Sequence, residues 1–173
     1  MPAPIQQPSQ LFTAMATTLR NSAGLNLQVG NHDDFTTPGA QAWALIDFDR
    51  NAQGVRSADG RIAHVMTVSL QVIPALSASA FAACDLIAML KNLITDNRWG
   101  LPGAQCDLPM NIDGLPSVLT RADQQYKAWT LTFTQTLYLG PTLLDDPLGT
   151  PKFARTWEVS DIDDPDQYTA LEA

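Results

Sequence analysis

The sequence predicts an α+β fold: a mostly antiparallel sheet with two helices packed on one face, a long hairpin, and an extended acidic C-terminal arm. Two kinds of periodicity carry this expectation. Residues 129–139 alternate, with Trp129, Leu131, Phe133, Leu137 and Leu139 apolar and Thr130, Thr132, Thr134, Thr136 and Tyr138 between them. Residues 61–73 repeat the pattern, setting Met66, Val68, Leu70 and Val72 against Thr67, Ser69 and Gln71. Two other stretches recur at steps of three and four, as one face of a helix requires. These are Phe12, Met15, Ala16 and Leu19, then Ala80, Ala83, Ile87, Leu90 and Ile94. With 173 residues the chain can bury one core, so a domain over 1–140 and an arm over 141–173 are expected.

Taken in order, Pro2, Pro4 and Pro8 keep the first residues out of a helix, Ser9 offers a cap, and Gly24 closes a helix over about 9–22. LNLQV at 25–29 reads as a short strand. GNHDDFTTPGA reads as an exposed loop, being dense in Gly, Asp, Thr and Pro. QAWALIDFDR at 41–50 is a strand, followed by a long polar connection that turns at Asp59-Gly60 and returns through 61–73. Pro74 stops that strand, and Ser77 or Ser79 can cap a second helix over about 78–96. Gly100 and Pro102 end it. QCDLPMNIDG and LPSVLT are weaker strands joined near Asp113-Gly114, with Pro109 and Pro116 marking an edge or a bulge. RADQQYK is a polar turn into the closing strand, 128–140. The arm beyond keeps Leu143, Leu144, Phe153, Trp157 and Val159 as docking anchors.

Composition narrows the function classes. Hydrophobic residues make up 45% and charged residues 16%, a lean charge content for a surface that faces water alone. The net charge is −8, and residues 141–173 hold eight acids against Lys152 and Arg155, a local balance of −6. No basic run exists to neutralise phosphates, so gripping of nucleic acid is not expected, although DNA could slide past a like-charged surface. The first residues lack the pattern of a signal peptide and no apolar stretch reaches membrane-spanning length, so synthesis in the cytosol and no membrane partner are expected.

Candidate chemistry is sparse. His32-Asp33-Asp34, joined by His64, could bind a metal or exchange protons, but the same residues suit a solvated turn. Cys84 and Cys106 have no CxxC spacing and read as two buried thiols. Trp43, Trp99 and Trp129 read as core. Neither GxxxxGK nor a GxGxxG after a strand is present. No catalytic residue, cofactor or metal is therefore expected. Asp47 and Asp49 form a carboxylate pair on one strand face, suited to a channel or to solvent.

The threonine strip of 128–140 is the most informative surface. An ordinary solvent-facing strand usually carries charge to prevent unwanted pairing, and this one has none on its threonine face. Thr130, Thr132, Thr134, Thr136 and Tyr138, with Phe153 and Trp157 from the arm, are thus subunit-interface candidates, and Asp47 and Asp49 are lumen-facing candidates.

The order of WALIDFDR with its long hairpin into DGRIAHVMTVSLQVI, the helix AFAACDLIAMLKNLITDNRW, and the closing WTLTFTQTLYLG is similar to that of the tail-terminator (tail-completion) proteins of long-tailed bacteriophages. The resemblance covers about residues 40–140 and rests on order and texture, without a shared signature. It implies a non-enzymatic virion subunit that forms a ring, usually a hexamer, at the head-proximal end of the tail. Its partners would be other copies of itself, the tail tube protein and the head-tail connector protein, with DNA passing through the lumen. The arm after Gly140 is longer and more acidic than the family pattern needs. Alternatives are a head-completion or neck connector protein, a small enzyme using His32 and His64, and a monomeric binding module.

Overall fold

The computed structural model describes residues 4–142, 152–154 and 168–170. The chain divides into two units, Met1–Pro141 and Thr142–Ala173. In the first, α1 (Ser9–Asn21) precedes β1 (Leu27–Gly30), β2 (Ala42–Gln53), β3 (Ile62–Ile73), α2 (Ala82–Ile94), β4 (Met110–Arg121) and β5 (Gln124–Leu139). These form a five-stranded sheet of order β1-β2-β3-β5-β4. Only β1 runs parallel to its neighbour; the other pairings are antiparallel. In the second unit, β6 (Lys152–Ala154) pairs antiparallel with β7 (Tyr168–Ala170). The fold is α+β. The side chain of Phe153 and the whole of Trp157 lie outside the described residues.

Both helices cover the same sheet face. Leu11, Met15, Ala16 and Leu19 of α1 and Ile87, Leu90 and Ile94 of α2 share one core with Ala44, Ile46, Val68, Leu70, Val72, Leu131, Phe133 and Leu137. Each of the larger side chains contributes about 2 kcal/mol by leaving water. Gly114 lets α2 approach, since a Cβ there would lie 2.9 Å from Cγ2 of Ile87.

The helix ends differ from expectation. Neither helix has a side-chain cap of the serine kind. Instead a turn leads into α1, with Gln10 and Leu11 N–H donating to the carbonyls of Gln7 and Pro8 and Gln10 Oε1 accepting from Gln6 and Gln7 N–H ahead of the helix, and α2 begins after a turn that leaves Ser77, Ser79 and Ala80 exposed. The stretch expected to hold two short strands joined at Asp113-Gly114 is a single strand, β4, whose irregularity falls between Met110 and Asp113. Asn111, with φ 55, absorbs that bulge. Likewise, the polar turn contracts to Ala122 and Asp123, both left-handed at φ 46 and 61, so β5 starts at Gln124.

Candidate functional site

The sheet face away from the helices presents one residue type after another in register. Thr130 lies opposite Gln71 and Leu115, Thr132 opposite Ser69 and Asp113, and Thr134 opposite Thr67 and Met110. Thr136 and Tyr138 continue the line opposite Val65 and Ala63. All five candidates of β5 therefore share one face, and all are half-buried: strands flank Thr130, Thr132 and Thr134 on both sides, while β3 and the backbone of residues 105–107 flank Thr136 and Tyr138. Thr130 Oγ1 donates to Ser117 Oγ at 2.8 Å, and Gln71 Nε2 donates to the same oxygen at 3.1 Å. Asn111 Nδ2 donates to Thr134 Oγ1 at 3.1 Å, and that hydroxyl donates to the carbonyl of Met110 at 3.2 Å. These bonds tie β4 to the central strands.

Charge is confined to the margins of this face. The two central strands, β3 and β5, bring no ionic side chain to it, whereas β2 brings Asp47, Asp49 and Arg50 and β4 brings Asp113 and Arg121. Asp47 lies opposite Ser69, and a register shift between Phe48 and Arg50 inserts Asp49 beside it, where Asp49 Oδ1 accepts from Ser69 Oγ at 3.1 Å. Both carboxylates are exposed. The outward surface is uncharged only along its centre, a narrower strip than the sequence implied.

One end of the face is closed. The loop expected to be fully exposed folds Phe35 down onto Leu45, Ile73 and Ala128, where only 1% of its surface stays accessible. Phe35 meets Trp43 edge-on at 5.6 Å and Tyr126 at 5.5 Å. Arg121 Nη1 holds that loop by donating to the carbonyl of His32 at 2.6 Å. His64 sits on β3 with Nδ1 3.2 Å from Asn51 Oδ1. Among the described residues no group of three His, Cys, Asp or Glu is placed to hold a metal. A cleft of about 420 Å³ beside α1, lined by Gln10, Thr13, Thr17, Trp99 and Leu101 among others, contains no titratable side chain.

Two buried polar residues escaped the sequence reading. Gln135 interrupts the threonine-strand pattern on the helix-covered face, at 1% exposure. Its Oε1 accepts from Trp99 Nε1 at 2.8 Å, and its Nε2 donates to the carbonyls of Asp107 at 2.9 Å and Asn97 at 3.3 Å. Gln105 clamps the N-terminal segment: Oε1 accepts from Ile5 N–H at 2.9 Å, while Nε2 donates to the carbonyls of Ile5 and Tyr138, each at 3.0 Å. Nothing but a lone amide in an apolar periodicity marked either residue.

The cysteines separate. Cys106 is buried, and burial, followed by the nearby Asp107 charge, pushes its thiol up to about 12. Cys84 is half-buried rather than buried. Tyr138 donates its hydroxyl to Asp107 Oδ2 at 2.8 Å, and that bond, followed by burial, raises the phenol above its ordinary value. Of the tryptophans, Trp99 is core whereas Trp43 and Trp129 are half-buried. Among the described residues, no helix is long and apolar enough to cross a membrane. No protein-family model matches the chain, and no curated protein matches it.

Proposed function

We propose that this chain is a structural virion subunit that caps the finished tube of a long-tailed phage tail as a ring and joins it to the head. Copies meet through the open sheet face, and DNA passes through the lumen without being held. The observation that carries this reading is the uncharged centre of that face, where Thr67, Ser69 and Gln71 stand beside Thr130, Thr132, Thr134 and Thr136. Threonine loses little side-chain entropy when covered, and the hydroxyls of Thr130 and Thr134 already have partners, so docking another surface costs less than it would over lysine or glutamate. Asp47 and Asp49 at the margin, in a chain of net charge −8, support a passage that repels phosphate.

Thr132→Glu tests the contact. Thr132 is half-buried opposite Asp113, so the new carboxylate lowers the stability of a single subunit by about 1 kcal/mol, whereas inside a subunit interface it is also buried without a partner. The expected result is a variant that still melts cooperatively, a few degrees lower, with loss of rings and of tube capping in negative-stain images. A variant that still forms rings and caps tubes removes the face from the contact. A wild-type protein that stays single both alone and with tubes ends the proposal, and binding to heads without tubes reassigns it to a neck connector.

A further inference from the structure

Strand β4 forms one margin of the sheet, and among the described residues no strand pairs with its outer edge. Which backbone groups face outward follows from the turn that precedes β5. In a two-residue hairpin with both turn residues left-handed, the flanking residues Arg121 and Gln124 exchange hydrogen bonds. Counting back by twos, Leu119, Ser117, Leu115 and Asp113 direct N–H and C=O toward β5. Gly114, Pro116, Val118 and Thr120 direct theirs outward. Pro116 agrees with this assignment, because a residue without an N–H belongs where no ladder bond is needed.

The same edge is apolar and only partly guarded: the bulge at Asn111 lies at one end, and Pro116 removes one outward N–H while leaving its carbonyl free. Met110 is 66%, Leu115 61% and Val118 57% exposed, and β4 has no lysine among its residues. Strand edges of this kind recruit another strand unless something blocks them. What distinguishes β4 is its charge layout: Asp113 toward one end and Arg121 at the other are its charged residues. An antiparallel copy of the same strand has the complementary layout.

We propose that β4 pairs with β4 of a second copy about a two-fold axis at Ser117, joining two five-stranded sheets edge to edge. In that register Asp113 faces Arg121 of the second copy, and the symmetry supplies the pair twice. Leu115 faces Leu119 and Pro116 faces Val118, so exposed apolar side chains cover one another. Outward groups meet outward groups: Thr120 N–H donates to the carbonyl of Gly114, Gly114 N–H shares its bond to Asp113 Oδ1 with the carbonyl of Thr120, and Val118 N–H donates to the carbonyl of Pro116. Sliding by two residues one way sets Asp113 against Leu119, and the other way against Asp123. Both lose the ion pairs, and the second adds like charges. Arg121 keeps guanidinium donors beyond the Nη1 held by His32, and Asp113 keeps Oδ2 beyond the Oδ1 that accepts from Gly114 N–H. This contact uses a strand edge, not the sheet face, and stands independently of the ring reading.

The register is tested by cysteine cross-linking in the full chain with Cys84→Ser, which leaves the buried Cys106 as the native thiol. Ser117 faces its own copy at a non-hydrogen-bonded position, with Cα atoms about 4.5 Å apart, inside the range of a disulfide. Oxidised Ser117→Cys is expected to run as a dimer of twice 18.8 kDa without reductant, and Leu115→Cys, which faces Leu119, is expected not to. Asp113→Arg should weaken the dimer at least tenfold by sedimentation, and Asp113→Arg with Arg121→Asp should restore it, with circular dichroism melts confirming that each variant folds. The proposal is overturned by a protein that sediments as a monomer at every concentration, by equal cross-linking at 115 and 117, or by a single charge reversal that leaves the dimer intact. Rings without a Ser117 cross-link likewise overturn it while leaving the face contact standing.

Discussion

Replacing Gln135 by leucine tests how the buried amide holds the fold. The side chain is close in volume, so the change deletes polar partners more than packing. It orphans Trp99 Nε1, now 2.8 Å from Gln135 Oε1, and removes donors from the carbonyls of Asp107 and Asn97. An unsatisfied buried donor costs about 2 kcal/mol and the two weakened carbonyls together about 1 kcal/mol more. The extra apolar burial of leucine returns about 1 kcal/mol. The net loss is about 2 kcal/mol, which lowers the melting temperature of a domain this size by about 6 °C. Trp99 sharpens the test because it sits at φ 59, a left-handed conformation that a bulky residue adopts only when held. Two of its holds are the indole bond to Gln135 and a 2.7 Å bond from its own N–H to Asn97 Oδ1. Urea unfolding of Gln135→Leu, Trp99→Phe and the double variant measures the coupling, expected at about 1 kcal/mol because a phenyl ring has no N–H to orphan. If Gln135→Leu matches the parent, or if the two changes simply add, the amide is not holding the loop.

The thiols and the phenol make two further predictions. At pH 8 a thiol reagent should label Cys84 quickly and Cys106 only as the protein unfolds, since burial pushes Cys106 up to about 12; rapid double labelling of the folded chain would refute this. Because that folded value lies above the ordinary 9.0, the stabilisation is complete below pH 9.0 and is lost as pH rises toward about 12. Tyr138 follows the same sign: its bond to Asp107 favours the neutral phenol, so its contribution is present below the ordinary value of 10.0 and lost at higher pH. Ultraviolet titration should show one tyrosine ionising late and that late step disappearing in Tyr138→Phe; an unchanged titration in the variant would count against the assignment.

The strands and helices were legible where a single period ran unbroken. Residues 62–73 and 128–139 alternate because one face meets the helices and the other does not, and the stripes of α1 and α2 repeat at helical spacing for the same reason. The threonines fall on one face from the sequence alone, since period two leaves no other choice. Prolines and an extra residue near Asn111 blurred β4, and without the pairing to β5 nothing separated one bulged strand from two short ones. The capping serines were misleading for a related reason: a serine caps only if the backbone on either side is positioned for it, and here turns lead into both helices, the carbonyls of Gln7 and Pro8 accepting from the first N–H groups of α1.

Local periodicity alone determined the α+β class, the two helices, the central antiparallel hairpin and the hydroxyl face, because each follows from which side chains must leave water. Tertiary structure decided what meets what. Phe35 closing one end of the open face, Gln105 and Gln135 anchoring loops from within the core, and β4 standing at the margin with its acid and base at opposite ends all depend on contacts between residues far apart in the chain. A period records only a residue's own exposure, and it contains no information about the partner across the gap.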